Sequence, residues 1–328
     1  MSETVTSKQQ HRQLYMVLSP RSLSYAHAAL QSLFRNSVDL INLHLVTDTS
    51  TDAAALSDAV AQLEPDSRHN WSVSAEEELN DAEAALFAGL PNLRAFRHGH
   101  PCWRKVTDPV LLSSPGEEMV LLDPDLYFPN RFLFEVTPAS GLGLMWQRPN
   151  CLLPPEIVRA AMSADIRLAR HVDIGVSHWR CGSDLEWLDW MLGKLGGAQL
   201  PRVMHVEAIV WSAIAMREGG GYLDPRAWVC WHRTQSKRVR RKLGATGESI
   251  LASEPWETMK CFHAGGEAKW WVPGYMAKHP AADGKDVVDP RPLRPYVELT
   301  REQYENEQRA KRVLHKLGYY RVFGAKAS

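Results

Sequence analysis

Two aspartates follow a short apolar run in the middle of the chain. The run Met119–Leu122 predicts a strand buried on both faces. Pro124 ends this strand, because proline has no N–H to donate to a sheet. Asp123 and Asp125 lie two residues apart, so in extended backbone their carboxylates point to the same side. Such a pair needs a counter-charge, usually a divalent cation, although Asp-Pro-Asp is also a common turn sequence.

A histidine, two glycines and a lysine lie close together around residue 265. His263 falls at the predicted end of a strand, and a neutral imidazole is a good ligand for Mn²⁺ and other divalent metals. Gly265 and Gly266 can expose backbone amides in a turn that holds an anion. Lys269 adds a positive charge suited to phosphate. The stretch therefore offers one metal ligand and a phosphate cradle, whereas an isolated histidine is more often structural.

Alternating apolar runs and helical patterns predict the elements that position these residues. Strands are expected at 14–18, 40–46, 71–73, 141–146, 172–176 and 228–231, and helices at 25–34, 51–63, 76–90, 106–112, 154–164, 184–195, 207–216 and 300–317. The β-α-β-α order of the first half implies a parallel sheet, whose ligands bind at the carboxyl ends of the strands. Gly175, inside a predicted strand, indicates a close approach by a ligand or by backbone. Neither a G-x-G-x-x-G nor a Walker A sequence is present, so neither Rossmann dinucleotide binding nor P-loop chemistry is supported.

Composition narrows the class of protein. The chain has 328 residues, 45% hydrophobic and 23% charged, which is ordinary for a globular protein. Its formal net charge of +0 gives no global attraction to nucleic acid. The five cysteines show neither zinc-site nor redox spacing, which predicts reduced thiols and a cytoplasmic protein. The polar N-terminus has no signal-peptide core, and no apolar stretch approaches the ~20 residues that span a bilayer.

Three segments lie outside the predicted domain core or interrupt it. Residues 1–12 are expected to form a disordered leader, and residues 283–328 a proline-rich arm with a charged helix. This arm either packs on the domain or mediates homodimer contacts. The basic segment 232–242 is either a solvated face or a mobile flap that meets an anionic ligand or a membrane surface, which would make the protein membrane-peripheral.

The two motifs occur together in a known family. The stretch His263–Trp271 resembles the motif His-x-x-Gly-x-x-Lys-Pro-Trp of the retaining glycosyltransferases related to glycogenin and to bacterial lipopolysaccharide galactosyltransferases, with Trp270 in place of the proline. The Asp123–Asp125 stretch resembles the Asp-x-Asp motif of the same family. The order and spacing agree over about residues 14–272.

Shorter matches lie between and before these motifs. The segment Val172–Val176 resembles the family's Phe-Asn-x-Gly-Val segment, with Asp173 replacing asparagine. Lys105 lies where the family has an arginine that helps to hold the donor. The stretch that starts at Ser19 resembles the nucleotide-binding start of the fold, and Tyr25 matches its base-stacking tyrosine.

The resemblance implies a GT-A fold over residues 13–282, an α/β domain with a mixed, mostly parallel sheet flanked by helices. It implies a nucleotide-diphospho-sugar donor, with a UDP-sugar favoured, whose diphosphate is held through Mn²⁺ or Mg²⁺. Asp123, Asp125 and His263 would be the metal ligands, a set that fits Mn²⁺ better than Mg²⁺. The donor would contact Ser19, Tyr25, Lys105, Asp123, Gly175, Gly265, Gly266 and Lys269.

The resemblance also implies a mechanism with retention of the anomeric configuration. The metal and Lys269 would stabilise charge on the leaving diphosphate while an acceptor hydroxyl attacks. Glu207 lies near the position of the family's Asp-Gln-Asp sequence and is the candidate carboxylate beside the anomeric carbon, with a helix cap or a salt bridge as the alternative. Asp173 would bind sugar hydroxyls or hold a turn. The acceptor stays open between a glycan, a lipid-linked sugar and a small molecule.

Two other functions are compatible with this sequence. A sugar nucleotidyltransferase would need a glycine-rich basic loop after the first strand, and Ser19–Ser22 (Ser-Pro-Arg-Ser) does not supply one. A non-catalytic nucleotide-sugar-binding protein on the same scaffold would explain the departures at Asp173, Ala208 and Trp270. Retention of both aspartates, the histidine and the lysine favours the enzyme.

Overall fold

The computed structural model describes residues 11–148, 151–232, 234–279 and 285–323. Residues 1–10 of the leader expected over residues 1–12 lie outside the described residues. Arg12 already belongs to the first strand. The strands are β1 (Arg12–Val17), β2 (Ile41–Thr47), β3 (Asn70–Ala75), β4 (Glu118–Leu122), β5 (Leu126–Tyr127), β6 (Arg131–Phe132), β7 (Leu142–Trp146), β8 (Val172–Arg180), β9 (Gly220–Tyr222), β10 (Trp228–Cys230), β11 (Cys261–His263), β12 (Asp286–Val287) and β13 (Arg294–Pro295).

The helices fill most of the connections between strands. They are α1 (Leu23–Asn36), α2 (Ser50–Ala61), α3 (Asn80–Leu86), α4 (Pro91–Arg97), α5 (Arg104–Leu112), α6 (Pro155–Ser163), α7 (Leu185–Leu195), α8 (Val206–Glu218), α9 (Gln235–Lys242), α10 (Gly247–Leu251), α11 (Ala268–Lys278), α12 (Arg301–Lys316) and α13 (Tyr319–Phe323). Within the described ranges, no helix is long and apolar enough to cross a membrane.

The main sheet has eight strands in the order β13-β9-β7-β8-β4-β1-β2-β3 among the described residues. The pairs β4–β1, β1–β2, β2–β3 and β7–β9 are parallel. Strand β8 runs antiparallel to both β4 and β7, and β13 runs antiparallel to β9. The α/β class with a mixed, mostly parallel sheet flanked by helices, as expected from the sequence, is confirmed.

Strand β4 lies in the middle of this sheet and is buried on both faces, as its apolar run predicts. Met119 and Leu121 pack on one side in a core that includes residues of α4 to α8. Val120 and Leu122 pack on the other side with residues of α1 and α2. The alternation follows from the two-residue period of a strand, and it fixes the backbone from which Asp123 leaves the sheet.

A second, three-stranded sheet lies beside the end of β4. Its order is β10-β11-β5, with β11 parallel to β10 and antiparallel to β5. His263 is paired with Leu126 on one side and with Cys230 on the other. The backbone N–H of Ala264 also donates to the carbonyl of Asp125 at 2.9 Å. The small sheet therefore brings the histidine motif next to the aspartate motif.

Several predicted element boundaries need correction. Helix α2 is capped by Thr49, whose hydroxyl accepts from the N–H of Asp52 at 3.1 Å, so the cap lies before the predicted Thr51–Asp52. The helix expected at 76–90 is a 3₁₀ turn followed by the short α3, and α4 begins afterwards. Helix α11 was not expected, because Pro273 lies inside it and proline normally breaks helical patterns.

The segment after residue 285 is joined to the main sheet. Strand β13 forms one edge of that sheet, and Leu299 and Tyr304 pack into the core beside α6 to α8. Asp224, just after β9, accepts hydrogen bonds from Arg291 at 2.9 Å and from Arg294 at 2.8 Å. Both contacts tie the C-terminal segment to the domain, while the predicted division at residue 283 stays a prediction.

Replacing Asp224 with asparagine should loosen this attachment. Burial opposes the charge of Asp224, but hydrogen bonds from Arg226 and Arg291 outweigh it and lower its pKa from 3.8 to about 2. A depressed pKa stabilises the fold at pH values above the unfolded pKa, and this stabilisation is lost as the pH falls toward 2. Asp224→Asn should therefore cost about 2 kcal/mol at pH 7, and less below pH 4, in urea unfolding.

Asp286→Asn is the matched control for this change. Asp286 pairs with Arg131, and both side chains are 56% exposed. An exposed pair contributes about 0–1 kcal/mol, so this variant should unfold almost like the parent chain. Equal effects of the two substitutions would contradict an anchoring role for Asp224.

Candidate metal centre

The structure brings together Asp123, Asp125 and His263, the three residues that the sequence analysis proposed as metal ligands. The Nε2 atom of His263 lies 3.2 Å from Oδ1 of Asp125 and 3.7 Å from Oδ2 of Asp123. One ligand atom of each residue lies within 4.8 Å of the others. Two carboxylates and one imidazole form a donor set suited to a hard or borderline divalent cation.

A third carboxylate lies behind the histidine. Oδ1 of Asp173 is 2.7 Å from Nδ1 of His263 and also accepts the backbone N–H of Gly175 at 3.0 Å. Since a carboxylate only accepts hydrogen bonds, Nδ1 carries a proton and Nε2 faces the other two aspartates. This is the arrangement that orients metal-binding histidines in proteins. The contact of Asp173 with sugar hydroxyls stays a prediction.

The carboxylates also set the protonation of His263. Burial by itself would lower the pKa of His263, but the charges of Asp173 and Asp125 raise it well above its ordinary value. A proton and a divalent cation therefore compete for Nε2, because each can supply the positive charge that the aspartates require. Acidification should favour the proton and weaken metal binding.

Gly175 leaves the space that this arrangement needs. A Cβ at this position would lie 2.6 Å from Nδ1 of His263 and 3.0 Å from Oδ1 of Asp173. The backbone carbonyl of Gly175 accepts a hydrogen bond from the backbone N–H of Asp123 at 2.8 Å. The close approach expected from a glycine inside this strand is thus made by the histidine ring and by the backbone of the aspartate motif. A donor contact at Gly175 stays a prediction.

Lys105 connects the metal ligands to the candidate catalytic carboxylate. Its Nζ lies 2.6 Å from Oδ1 of Asp123 and 2.9 Å from Oε1 of Glu207, and all three side chains are buried. Burial raises the pKa of Glu207 to about 8, although the charge of Lys105 opposes this shift. The salt bridge that the sequence analysis considered for Glu207 is therefore present, and its catalytic role stays a prediction.

An aromatic and basic group lies on the other side of Asp125. The Nζ of Lys269 is 4.8 Å from the ring centroid of Tyr25, and the edge of Trp270 contacts the same ring with centroids 5.1 Å apart. A small pocket joins Tyr25 and Lys269 of this group to Asp125. It is lined by Tyr25, Ala28, Ala29, Asp125, Leu126, Tyr127, Ala264, Lys269, Val272 and Pro273.

The remaining predicted donor residues, Ser19, Gly265 and Gly266, lie in the loops that follow β1 and β11. Ser19 follows β1, and its carbonyl accepts the N–H of Ser22 at 2.8 Å at the start of the turn into α1. Gly265 and Gly266 form the turn between β11 and α11, and Gly266 has a φ of +64°, a left-handed conformation that favours glycine. A Cβ at either glycine would meet nothing within 4 Å, so this turn is open to a ligand.

Cys230 is a site residue that the sequence did not reveal. Its Sγ lies 3.3 Å from Oδ2 of Asp173 and 4.0 Å from Nδ1 of His263. Burial raises the pKa of this thiol to about 12, so it stays protonated and donates to the aspartate. The sequence signal was weak, because only the pairing of β10 with β11 places Cys230 beside the histidine.

Comparisons with known proteins find similar solved structures but no family. No family model matches the sequence, and no curated protein is found to be similar to it. The chain is similar in structure to mouse xyloside xylosyltransferase 1 in its apo form, with 14% identity, a TM-score of 0.46, and coverage of 79% of this chain and 99% of the other. It is also similar to the galactosyltransferase LgtC in complex with donor and acceptor sugar analogs, with 11% identity, a TM-score of 0.43, and coverage of 81% and 94%.

A further similar structure is core-mannan synthase A from Aspergillus fumigatus in its Mn/GDP form. Identity is 13%, the TM-score is 0.40, and the match covers 65% of this chain and 71% of the other. The first two of these proteins are glycosyltransferases by name, and the third is named a synthase of a mannan. At such low identities and TM-scores, the function of this chain has to be argued from its own site.

Asp173→Asn should weaken metal binding without preventing folding. The substitution removes the charge that holds Nδ1 of His263, and loss of such a partner typically reduces metal affinity by about 10–100-fold. Titration of Mn²⁺ followed by electron paramagnetic resonance would measure the change. Asp224→Asn serves as a control, because Asp224 is similarly buried but lies at the C-terminal attachment. Equal Mn²⁺ affinities of the two variants would refute a positioning role for Asp173.

Lys105 and Glu207 should show strong energetic coupling. Lys105→Met leaves two buried carboxylates without their counter-charge, which should cost about 3–5 kcal/mol in urea unfolding without divalent cations. Adding Glu207→Gln to that variant removes one of the two carboxylates that Lys105 serves and should restore part of the loss when unfolding is measured at a pH above the Glu207 pKa of about 8. The exposed pair of Lys278 and Glu248 provides the matched cycle, with an expected coupling of under about 0.5 kcal/mol. Additive costs for Lys105 and Glu207 would contradict a shared buried ion pair.

Proposed function

We propose that this protein is a metal-dependent glycosyltransferase of the GT-A type that moves a sugar from a nucleotide-diphospho-sugar to an acceptor hydroxyl. A single observation carries the proposal. The aspartates of one motif and the histidine of the other, far apart in sequence, face one point with Nε2 of His263 directed at both carboxylates. The narrower relation to glycogenin-like retaining enzymes, and retention itself, are proposed from the motif resemblance.

The metal would be held by Asp123, Asp125 and His263, and Mn²⁺ fits this set better than Mg²⁺ because one donor is nitrogen. When bound, the ion supplies positive charge to a leaving diphosphate. The chain supports it from behind, since Asp173 keeps Nδ1 of His263 protonated and Nε2 available. Lys105 balances the charge that remains on Asp123.

The turn at Gly265–Gly266 and Lys269 would hold the diphosphate on its other side. The turn leads into α11, and backbone N–H groups at a helix N-terminus favour anions. Lys269 adds a full positive charge beside the pocket that reaches Asp125. Tyr25 lines the same pocket, and its ring would contact the base of the nucleotide. A UDP-sugar is the favoured donor.

Glu207 is proposed as the carboxylate that acts near the anomeric carbon. It is linked through Lys105 to the metal ligand Asp123, so it lies at the same end of the sheet as the proposed diphosphate site. Its raised pKa of about 8 means that its charge depends on Lys105 and on the cation nearby. The acceptor is proposed only as a hydroxyl-bearing glycan, lipid-linked sugar or small molecule.

One observation favours a second function, a non-catalytic nucleotide-sugar-binding protein. Lys105 forms ion pairs with both Glu207 and Asp123. Every carboxylate in the described part of the site is therefore already held by an ion pair or a hydrogen bond. A protein of this kind would bind metal and donor but would not turn the donor over.

Donor binding should require the metal. Nucleotide-sugars are screened by thermal shift with and without Mn²⁺. The correct donor, at 100 times its Kd, should stabilise the parent chain by about 2.7 kcal/mol when Mn²⁺ is present. Asp125→Ala should lose this shift, whereas Asp286→Ala, at an exposed ion pair that is part of neither the pocket lining nor the metal ligands, should keep it. A shift that is independent of Mn²⁺, or kept in Asp125→Ala, would reject the site.

Turnover then separates the two functions. Release of the nucleoside diphosphate from the bound donor, by hydrolysis or by transfer, supports the glycosyltransferase. A donor that binds with Mn²⁺ and is recovered intact after long incubation supports the binding protein. Release of pyrophosphate would indicate a sugar nucleotidyltransferase instead.

A further inference from the structure

The distal half of α12 projects from the body of the domain. In its first half, Tyr304 and Gln308 are buried against the protein. From Arg309 to Leu317, every side chain is exposed except that of Lys311, which is partly exposed. A helix that packs only at its beginning leaves its distal turns available to another surface.

The exposed turns carry apolar side chains. Val313 is 55% exposed and Leu317 is 76% exposed, and Leu314, Tyr320 and Val322 are also exposed. A single exposed apolar side chain is ordinary on a protein surface. Here several such side chains lie together on one projecting helix and on the short helix after it. A group of this kind marks a binding surface, because removing each side chain from water would lower the free energy.

The same turns are basic. Residues 308–323 contain the basic side chains Arg309, Lys311, Arg312, Lys316 and Arg321, and no aspartate or glutamate. Glu305 and Glu307, the nearest acidic side chains before them on α12, pair with Arg159 and Arg170. After Glu307, α12 therefore carries basic but no acidic side chains, although the whole chain has a formal net charge of +0.

The basic helix α9 continues this region. Its residue Gln235 accepts a hydrogen bond from Tyr319, and Arg238 donates to the carbonyl of Phe323 at 3.0 Å. The guanidinium of Arg238 also lies 5.8 Å from the centroid of the Tyr319 ring. Lys237 of helix α9 pairs with Glu254 at 2.6 Å, but the helix has no acidic residue of its own, and Leu243 at its end is 82% exposed. We call α9, residues 309–317 and α13 together the basic apolar surface.

We propose that the basic apolar surface binds the interface of an anionic lipid bilayer. Lys and Arg side chains are attracted to anionic headgroups, and apolar side chains between them can enter the boundary of the acyl chains. A nucleic acid would use the basic residues but would leave Val313 and Leu317 in water. The attraction is local and acts within about 8 Å at physiological salt, which fits a patch on a chain with no net charge.

This proposal does not depend on sugar transfer, and binding to vesicles tests it directly. The full chain is sedimented with vesicles of phosphatidylcholine alone and with vesicles containing phosphatidylglycerol, at low and high salt. Binding is expected only with the anionic vesicles, and it should fall as salt rises. The attraction of ~1 kcal/mol per basic side chain corresponds to about fivefold, so Arg312→Glu with Lys316→Glu should weaken partitioning by about 25-fold or more.

Apolar variants separate a bilayer from a polyanion. Val313→Ser with Leu317→Ser should reduce vesicle binding strongly while leaving retention on heparin unchanged. Leu86→Ser and Lys194→Glu, which alter an exposed apolar and an exposed basic residue on α3 and α7, should bind vesicles like the parent chain. Circular dichroism confirms that each variant is folded.

Three results would overturn the proposal. The first is no difference between neutral and anionic vesicles. The second is vesicle binding that survives the serine substitutions, which would show a surface that recognises polyanions through charge alone. The third is an equal loss in Lys194→Glu, which would show a general charge effect.

Discussion

The site depends on the contact between His263 and Asp173. The histidine lies at the end of β11, in a small sheet, whereas Asp173 lies at the start of β8, in the main sheet. The hydrogen bond of 2.7 Å between them fixes the ring so that Nε2 faces the two aspartates that follow β4. Gly175 makes this contact feasible because any larger residue would collide with the ring. This hydrogen bond thus connects the two sheets and orients Nε2 of His263 toward Asp123 and Asp125.

The second constraint is the balance of buried charge. Asp123, Asp173 and Glu207 are all buried, as is Lys105, and burying a charge is costly unless it is paired. Lys105 serves two of these carboxylates, and His263 serves Asp173 and Asp125. The excess of negative charge would make a divalent cation favourable here. The same excess explains why the pKa of His263 is raised despite its burial.

Much of the fold followed from local pattern. The runs that became β1, β2, β4 and β7 are apolar and short, and their period and length identify them as buried strands. Other elements were hidden, for physical reasons. Helix α11 contains Pro273, and β8 continues four residues past Val176 as far as Arg180 through polar residues such as Ser177 and His178, which are buried here among neighbouring strands. Only packing shows that these residues belong to regular elements.

The sequence by itself determined the motif residues. The two-residue spacing of Asp123 and Asp125 after a buried strand, and the position of His263 at a strand end, are local properties of the chain. The tertiary structure decided their partners: Asp173 and Cys230 behind the histidine, and Lys105 between Asp123 and Glu207. These partners are far apart along the chain, and their spacing carries no signal. They meet because the beginnings of β8, α5 and α8 and the end of β10 lie at the same edge, and burial then requires every charge there to be paired.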